Sequence, residues 1–192
     1  VALDSVNGAG SIITRRLLER LGCEIVPVHC EITGSFPRGA EPLAENLTDL
    51  CEAVRSSGAD IGFAQDPDAD RLAIVDEKGI PIGEEYTLTL IAEHLLSKRP
   101  GRVVVNLSTT RAIEEVAKRH ESPFTRTRVG EINVVERMRK LGARIGGEGN
   151  GGVIAPEVHL GRDSLAGIVY VLEMMAERRR PVSELAGALP RY

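Results

Sequence analysis

The feature that most constrains this chain is a rhythm of short apolar strand, turn and helix, set out twice over 192 residues. Val1-Ala2-Leu3-Asp4 reads as a strand, followed by Asn7-Gly8-Ala9-Gly10 and a helix near 11–21. Ile13, Leu17, Leu18 and Leu21 fall at helical spacing there, and Gly22 ends the pattern. Cys23–Val28 reads as a strand, and Asn46–Ser56 as a helix with Leu47, Leu50, Cys51 and Val54 on one face. Ile61–Ala64 and Leu72–Val75 are two further strands. After a turn at Lys78-Gly79 the rhythm restarts with helix 84–97, strand 103–105, helix 109–120 and strand 124–129. Helix 131–141, strand 144–146, an irregular loop at 147–156 and helix 164–178 complete it. Strands separated by helices are joined by crossovers, which pair them in parallel. The expected fold is α/β: two tandem domains, 1–82 and 83–192, each a small mixed, mostly parallel sheet flanked by helices.

Composition removes several classes of function. A net charge of −4 and 3% aromatic residues with no Trp argue against a nucleic-acid partner, which needs a basic face or stacking platforms. No apolar run approaches the ~20 residues of a membrane span, so no membrane partner is expected, and the cytoplasm is the expected compartment. Three cysteines without a C-x-x-C pair exclude a disulfide framework. The chain starts inside a strand and stops directly after a helical pattern, which suggests a segment of a longer protein.

Two loops carry chemistry. Asp66, Asp68 and Asp70 alternate in a turn between apolar strands. Three carboxylates so close repel one another, and a hard divalent cation removes that cost; a solvated acidic turn is the plainer alternative. Arg71 adds a planar fork suited to a phosphate. An EF-hand starting at Asp66 fails, because Arg71 stands where that loop needs Gly and the flanks are strands. A dehalogenase-like phosphatase would want a hydroxyl residue soon after its second Asp, where Arg71-Leu72 stand. The second loop, Gly147-Glu148-Gly149-Asn150-Gly151-Gly152, matches G-x-G-x-x-G in letters only. Val153-Ile154-Ala155-Pro156 cannot open the crossover helix that a dinucleotide site needs. What remains is a pliable loop offering Glu148 and Asn150 to polar hydroxyls, or simply a glycine-rich turn.

These residues, in this order, resemble the α-D-phosphohexomutases: phosphoglucomutase, phosphomannomutase and phosphoglucosamine mutase. Gln65-Asp66-Pro67-Asp68-Ala69-Asp70-Arg71 resembles that family's D-G-D-x-D-R metal loop, and Gly147–Gly151 its G-E-x-S-G sugar loop. Asp4–Gly10 is similar to the opening of its second domain, and Phe36-Pro37, Pro42 and Glu45-Asn46-Leu47 to a following stretch. Gly161-Arg162-Asp163 resembles the segment after the sugar loop. The resemblance implies domains 2 and 3 of a four-domain enzyme, with domains 1 and 4 of the parent chain as partners. It implies that Asp66, Asp68 and Asp70 bind Mg²⁺, with Arg71 near the transferred phosphate. Glu148 would hold the hydroxyls of a phosphosugar substrate, and Asn150, Arg128 and Glu131 line its path. Pro67 stands where the loop usually has Gly, Asn150 and Gly152 where many members have Ser and His, and Glu131 where some carry His.

The implied reaction interconverts hexose 1-phosphate and hexose 6-phosphate, of glucose, mannose or glucosamine type. It passes through a phosphoserine and a hexose 1,6-bisphosphate, yet no T-A-S-H-N-P-type stretch occurs here. A Mg²⁺-dependent phosphatase and a non-catalytic phosphosugar-binding module are the alternatives. His29, His94, His120 and His159 share no metal spacing, and His159 lies closest in sequence to the sugar loop. Asn7–Gly10 is either an anion-binding helix start or a strand–helix turn.

Overall fold

In the first half, β1 (Ala2–Asp4), α1 (Gly10–Arg20), β2 (Val26–Val28), α2 (Thr48–Ser57), β3 (Gly62–Gln65) and β4 (Leu72–Val75) follow one another. A helix, α3 (Glu84–Lys98), leads to β5 (Val103–Asn106), α4 (Ala112–Arg119), β6 (Phe124–Thr127), α5 (Glu131–Leu141), β7 (Ile145–Glu148) and β8 (Gly152–Ile154). The chain closes with α6 (Ser164–Arg178) and α7 (Val182–Gly187). This is a computed structural model, and it describes residues 1–192.

The strands form two sheets, ordered β2-β1-β3-β4 and β6-β5-β7-β8. In each, three strands run parallel and the fourth is antiparallel, so the second half repeats the first in topology. The inner parallel strands β1, β3 and β5 are buried throughout because helices cover both faces, and Leu3, Phe63, Val103, Val104 and Val105 are fully buried. Leu47, Leu50 and Val54 seat α2 on one face of the first sheet, and Val134 and Met138 seat α5 on one face of the second. The other faces share a single core of 30 buried residues that runs from Leu3, Phe63 and Ile74 through α3 to Val105, Ile145 and Met174. α3 is buried nearly all round, which explains why it lacks a polar stripe. Its Thr87 hydroxyl donates to the Leu72 carbonyl at 2.8 Å.

Three local details differ from the sequence expectation. β2 is shorter than 23–28, because Cys23 still bonds back to the Leu18 carbonyl at the end of α1. Its Pro27 is tolerated because β2 is an edge strand. α4 starts at Ala112 and not 109, since the Thr110 hydroxyl accepts the Ala112 N–H in a turn. The loop at 147–156 is largely a hairpin: β7 continues to Glu148 and β8 runs antiparallel to it. No helix is long and apolar enough to cross a membrane.

Candidate metal and sugar site

Each sheet ends in a hairpin whose tip carries one of the two loops. Asp66–Arg71 connects β3 to β4, and Gly149–Gly151 connects β7 to β8. Each tip rests on the turn after the first strand of its own sheet. Ala9 N–H donates to the Pro67 carbonyl at 2.8 Å, and a Cβ at Gly8 would come within 2.5 Å of that oxygen. Likewise a Cβ at Gly149 would lie 3.0 Å from the Thr109 Cα. The Asn7–Gly10 segment is thus a turn clamped on the acidic loop, with the amides of Asn7, Gly8 and Ala9 all given to carbonyls. Pro67 serves through its carbonyl, so its missing N–H costs nothing there.

The two tips meet. Leu72 N–H donates to the Gly151 carbonyl at 3.0 Å, and Arg71 pairs with Gly152 in an antiparallel bridge. Gly151 sits at φ +88°, and a Cβ there would strike the Leu72 carbonyl at 2.5 Å. Below the junction, the Gln65 amide donates to the Ser164 hydroxyl at 2.6 Å, and that hydroxyl donates to the Ala69 carbonyl at 2.5 Å.

One carboxylate oxygen from each of Asp66, Asp68 and Asp70 falls within 4.8 Å of the others. Ala69, at φ +61°, folds the loop back so that Asp66 Oδ1 accepts the N–H groups of Asp70 and Arg71, both at 3.0 Å. Burial pushes the Asp66 carboxyl up to about 7; the Arg71 N–H opposes this, and the neighbouring Asp70 and Asp68 add to the rise. Asp70 Oδ1 is buried with no hydrogen-bond donor. Three hard oxygen donors, with an unpartnered buried oxygen on Asp70 among their carboxylates, suit a divalent cation. Arg71 reaches outward to Glu41, with Nη1 2.7 Å from Oε1, while its Nε lies 3.5 Å from Asp66 Oδ2. Arg38 holds the segment bearing Glu41 in place: it donates twice to the buried Asp4 carboxylate and once to the Gln65 carbonyl.

In the second tip, Glu148 is buried and accepts three hydrogen bonds, two at Oε1 and one at Oε2. Its Oε1 accepts from the Asn106 amide at 2.7 Å and the Gly130 N–H at 3.2 Å, and its Oε2 accepts from Arg162 Nη1 at 3.1 Å. Asn150 Oδ1 accepts the Gly152 N–H at 3.3 Å and stays half-exposed at the tip. Glu131 Oε1 accepts the backbone N–H of Arg162 at 2.8 Å. Arg128 stands apart: its side chain is exposed on the rim and pairs with no carboxylate.

Sequence reasoning missed the residue at the centre. Arg162 places Nη2 2.5 Å from Asp70 Oδ2, Nη1 3.1 Å from Glu148 Oε2 and Nε 3.4 Å from Glu131 Oε2. Only its position in Gly161-Arg162-Asp163 could have flagged it. His159 acts one step away, with Nε2 3.0 Å from Asp163 Oδ2, and Asp163 Oδ1 caps α6.

Comparison with known proteins agrees with this architecture. Residues 83–192 match the family model "Phosphoglucomutase/phosphomannomutase, alpha/beta/alpha domain III", and residues 1–79 match that of domain II. A phosphoglucomutase/phosphomannomutase of Thermococcus kodakarensis is 40% identical over all of this chain and 42% of its own length. A "Probable phosphoglucosamine mutase" of Methanopyrus kandleri is 36% identical over all of this chain and 43% of its own. A crystal structure of a phosphoglucomutase/phosphomannomutase family protein from Burkholderia thailandensis superposes with a TM-score of 0.90 at 31% identity. It covers 99% of this chain and 42% of that one. The chain thus spans less than half the length of the relatives it matches. It belongs to the phosphoglucomutase/phosphomannomutase family and carries that family's domains II and III.

Proposed function

We propose that this chain is the metal- and sugar-binding part of a Mg²⁺-dependent phosphohexomutase that interconverts hexose 1-phosphate and hexose 6-phosphate. The observation that carries the reading is the direct contact between an acidic tip and a polar, glycine-rich tip, joined by the bridge from Arg71 to Gly152. A phosphosugar has one end that needs charge neutralised and another rich in hydroxyls, and the two tips offer those functions side by side. The proposed domains are 1–82, carrying the acidic tip, and 83–192, carrying the glycine-rich tip.

Asp66, Asp68 and Asp70 would hold Mg²⁺, which when bound neutralises charge on a moving phosphoryl group. Arg71, already beside the acidic tip, would give its guanidinium to that group in exchange for Glu41. Glu148 and Asn150 would take sugar hydroxyls, with Glu131 and Arg128 lining the approach. Domains 1 and 4 of the parent chain would supply the phosphoserine and a further phosphate contact, with hexose 1,6-bisphosphate as the intermediate. Alone, the chain is expected to give no turnover of glucose 1-phosphate. Calorimetric titration with Mg²⁺ tests the reading: one site is expected, lost in D68N. Turnover by the isolated chain, or unchanged Mg²⁺ binding after all three Asp→Asn changes, would overturn it.

A further inference from the structure

We infer that Arg162 is a positioning residue that ties the acidic tip to the Glu148 carboxylate, so that a cation on one is felt by the other. The inference rests on the metal reading above and goes beyond it. One guanidinium, 15% exposed, faces three carboxylates from three elements: Asp70 of the first tip, Glu148 at the end of β7 and Glu131 at the start of α5. No other side chain ion-pairs with carboxylates of both tips. The remaining links at the junction, Leu72 to Gly151, Arg71 to Gly152 and Ser164 to Gln65 and Ala69, do not reach Glu148.

Its position is over-determined. The Arg162 N–H is held by Glu131 Oε1, and the next residue, Asp163, donates its N–H to the Val153 carbonyl at 2.9 Å and caps α6. The stem passes where a side chain at Gly152 would stand, since a Cβ there would lie 3.1 Å from Arg162 Cγ and closer still to Cδ. Arg162 ion-pairs with Asp70 Oδ2 and leaves Oδ1 as the buried oxygen with no donor. Holding a carboxylate from behind, with its other oxygen open, is how outer partners orient metal ligands. A cation on Oδ1 and the guanidinium on Oδ2 share one carboxylate that Arg162 keeps oriented, so loading the cation redistributes the guanidinium's charge among Asp70, Glu148 and Glu131. By linkage, a donor arriving at Glu148 changes cation affinity by the same factor.

The test is a Mg²⁺ titration of the ¹⁵N-labelled 192-residue chain, followed by amide NMR. The Gly130 N–H and the Asn106 side-chain amide report on Glu148, because both donate to its Oε1. In the unaltered chain, Mg²⁺ is expected to shift residues 66–71 and these two reporters together. In R162A, Mg²⁺ should bind about 10- to 100-fold more weakly. At saturation the Gly130 and Asn106 shifts should vanish while those of Gly151 and Gly152 persist. R162K keeps the charge and the fold but not the fork, and is expected to lose most of the reporter shift too. Reporter shifts retained in both variants, or Mg²⁺ bound as tightly as before, would overturn the inference and leave the metal reading standing. No response at all in the unaltered chain would remove both.

Discussion

Asp66 is where burial and function pull in opposite directions. Its backbone partners favour the carboxylate, yet burial and the adjacent Asp70 and Asp68 hold the carboxyl up to about 7. A carboxyl raised in the folded state stabilises the fold only while protonated, so that contribution is complete below about pH 4 and is lost as pH rises through about 7. The metal-free chain should therefore melt lower at pH 8 than at pH 5.5, Mg²⁺ should restore it at pH 8, and D66N should flatten the difference. Thermal unfolding at both pH values, with and without Mg²⁺, checks this. Gly8 poses a purely steric question at the same loop: G8A drives a methyl into the Pro67 carbonyl, now 2.5 Å from the ideal Cβ. The variant should lose roughly 1–3 kcal/mol and weaken Mg²⁺ binding with it. Urea unfolding and calorimetry would each report half of that expectation.

At the scale of elements, helix α6 ties the glycine-rich tip to the core through its first residues. Asp163 accepts the N–H groups of Leu165 and Ala166, so D163A should cost about 1 kcal/mol in urea unfolding, and D163N much less. Elements of this kind were legible in the sequence because apolar spacing and terminal glycines speak locally. Gly58 and Gly142, both left-handed, end α2 and α5 where the pattern stops. The hairpin at 145–154 was not legible, because glycine carries no strand signal and its pairing is set by backbone bonds to a neighbouring strand. The acidic tip could be read from its own carboxylates. Arg162 could not, since its three partners come from β7, α5 and the other sheet, and an arginine beside a helix cap says nothing of them. Glu148 was legible as an acid, but its three internal donors were not.

Over the whole molecule, two sheets of the same strand order share the larger core between them, and each keeps a smaller one on its other face. Phe63 in the first sheet and Val105 in the second belong to the same buried cluster, bridged by α3. Unfolding should accordingly be a single transition, and F63A should lower it by about 3–5 kcal/mol without splitting it. Scanning calorimetry would show two peaks if the halves were independent.

The Leu72–Gly151 hydrogen bond has a consequence for traffic. Prising the tips apart is costly, because it would strip Leu72 N–H and the Gly151 carbonyl of each other beside the buried Gln65 and Ser164. The outer side of the acidic tip carries a looser tie, the ion pair of Arg71 with the exposed Glu41. Hydrogen exchange should show a Leu72 amide that exchanges only when the whole chain unfolds.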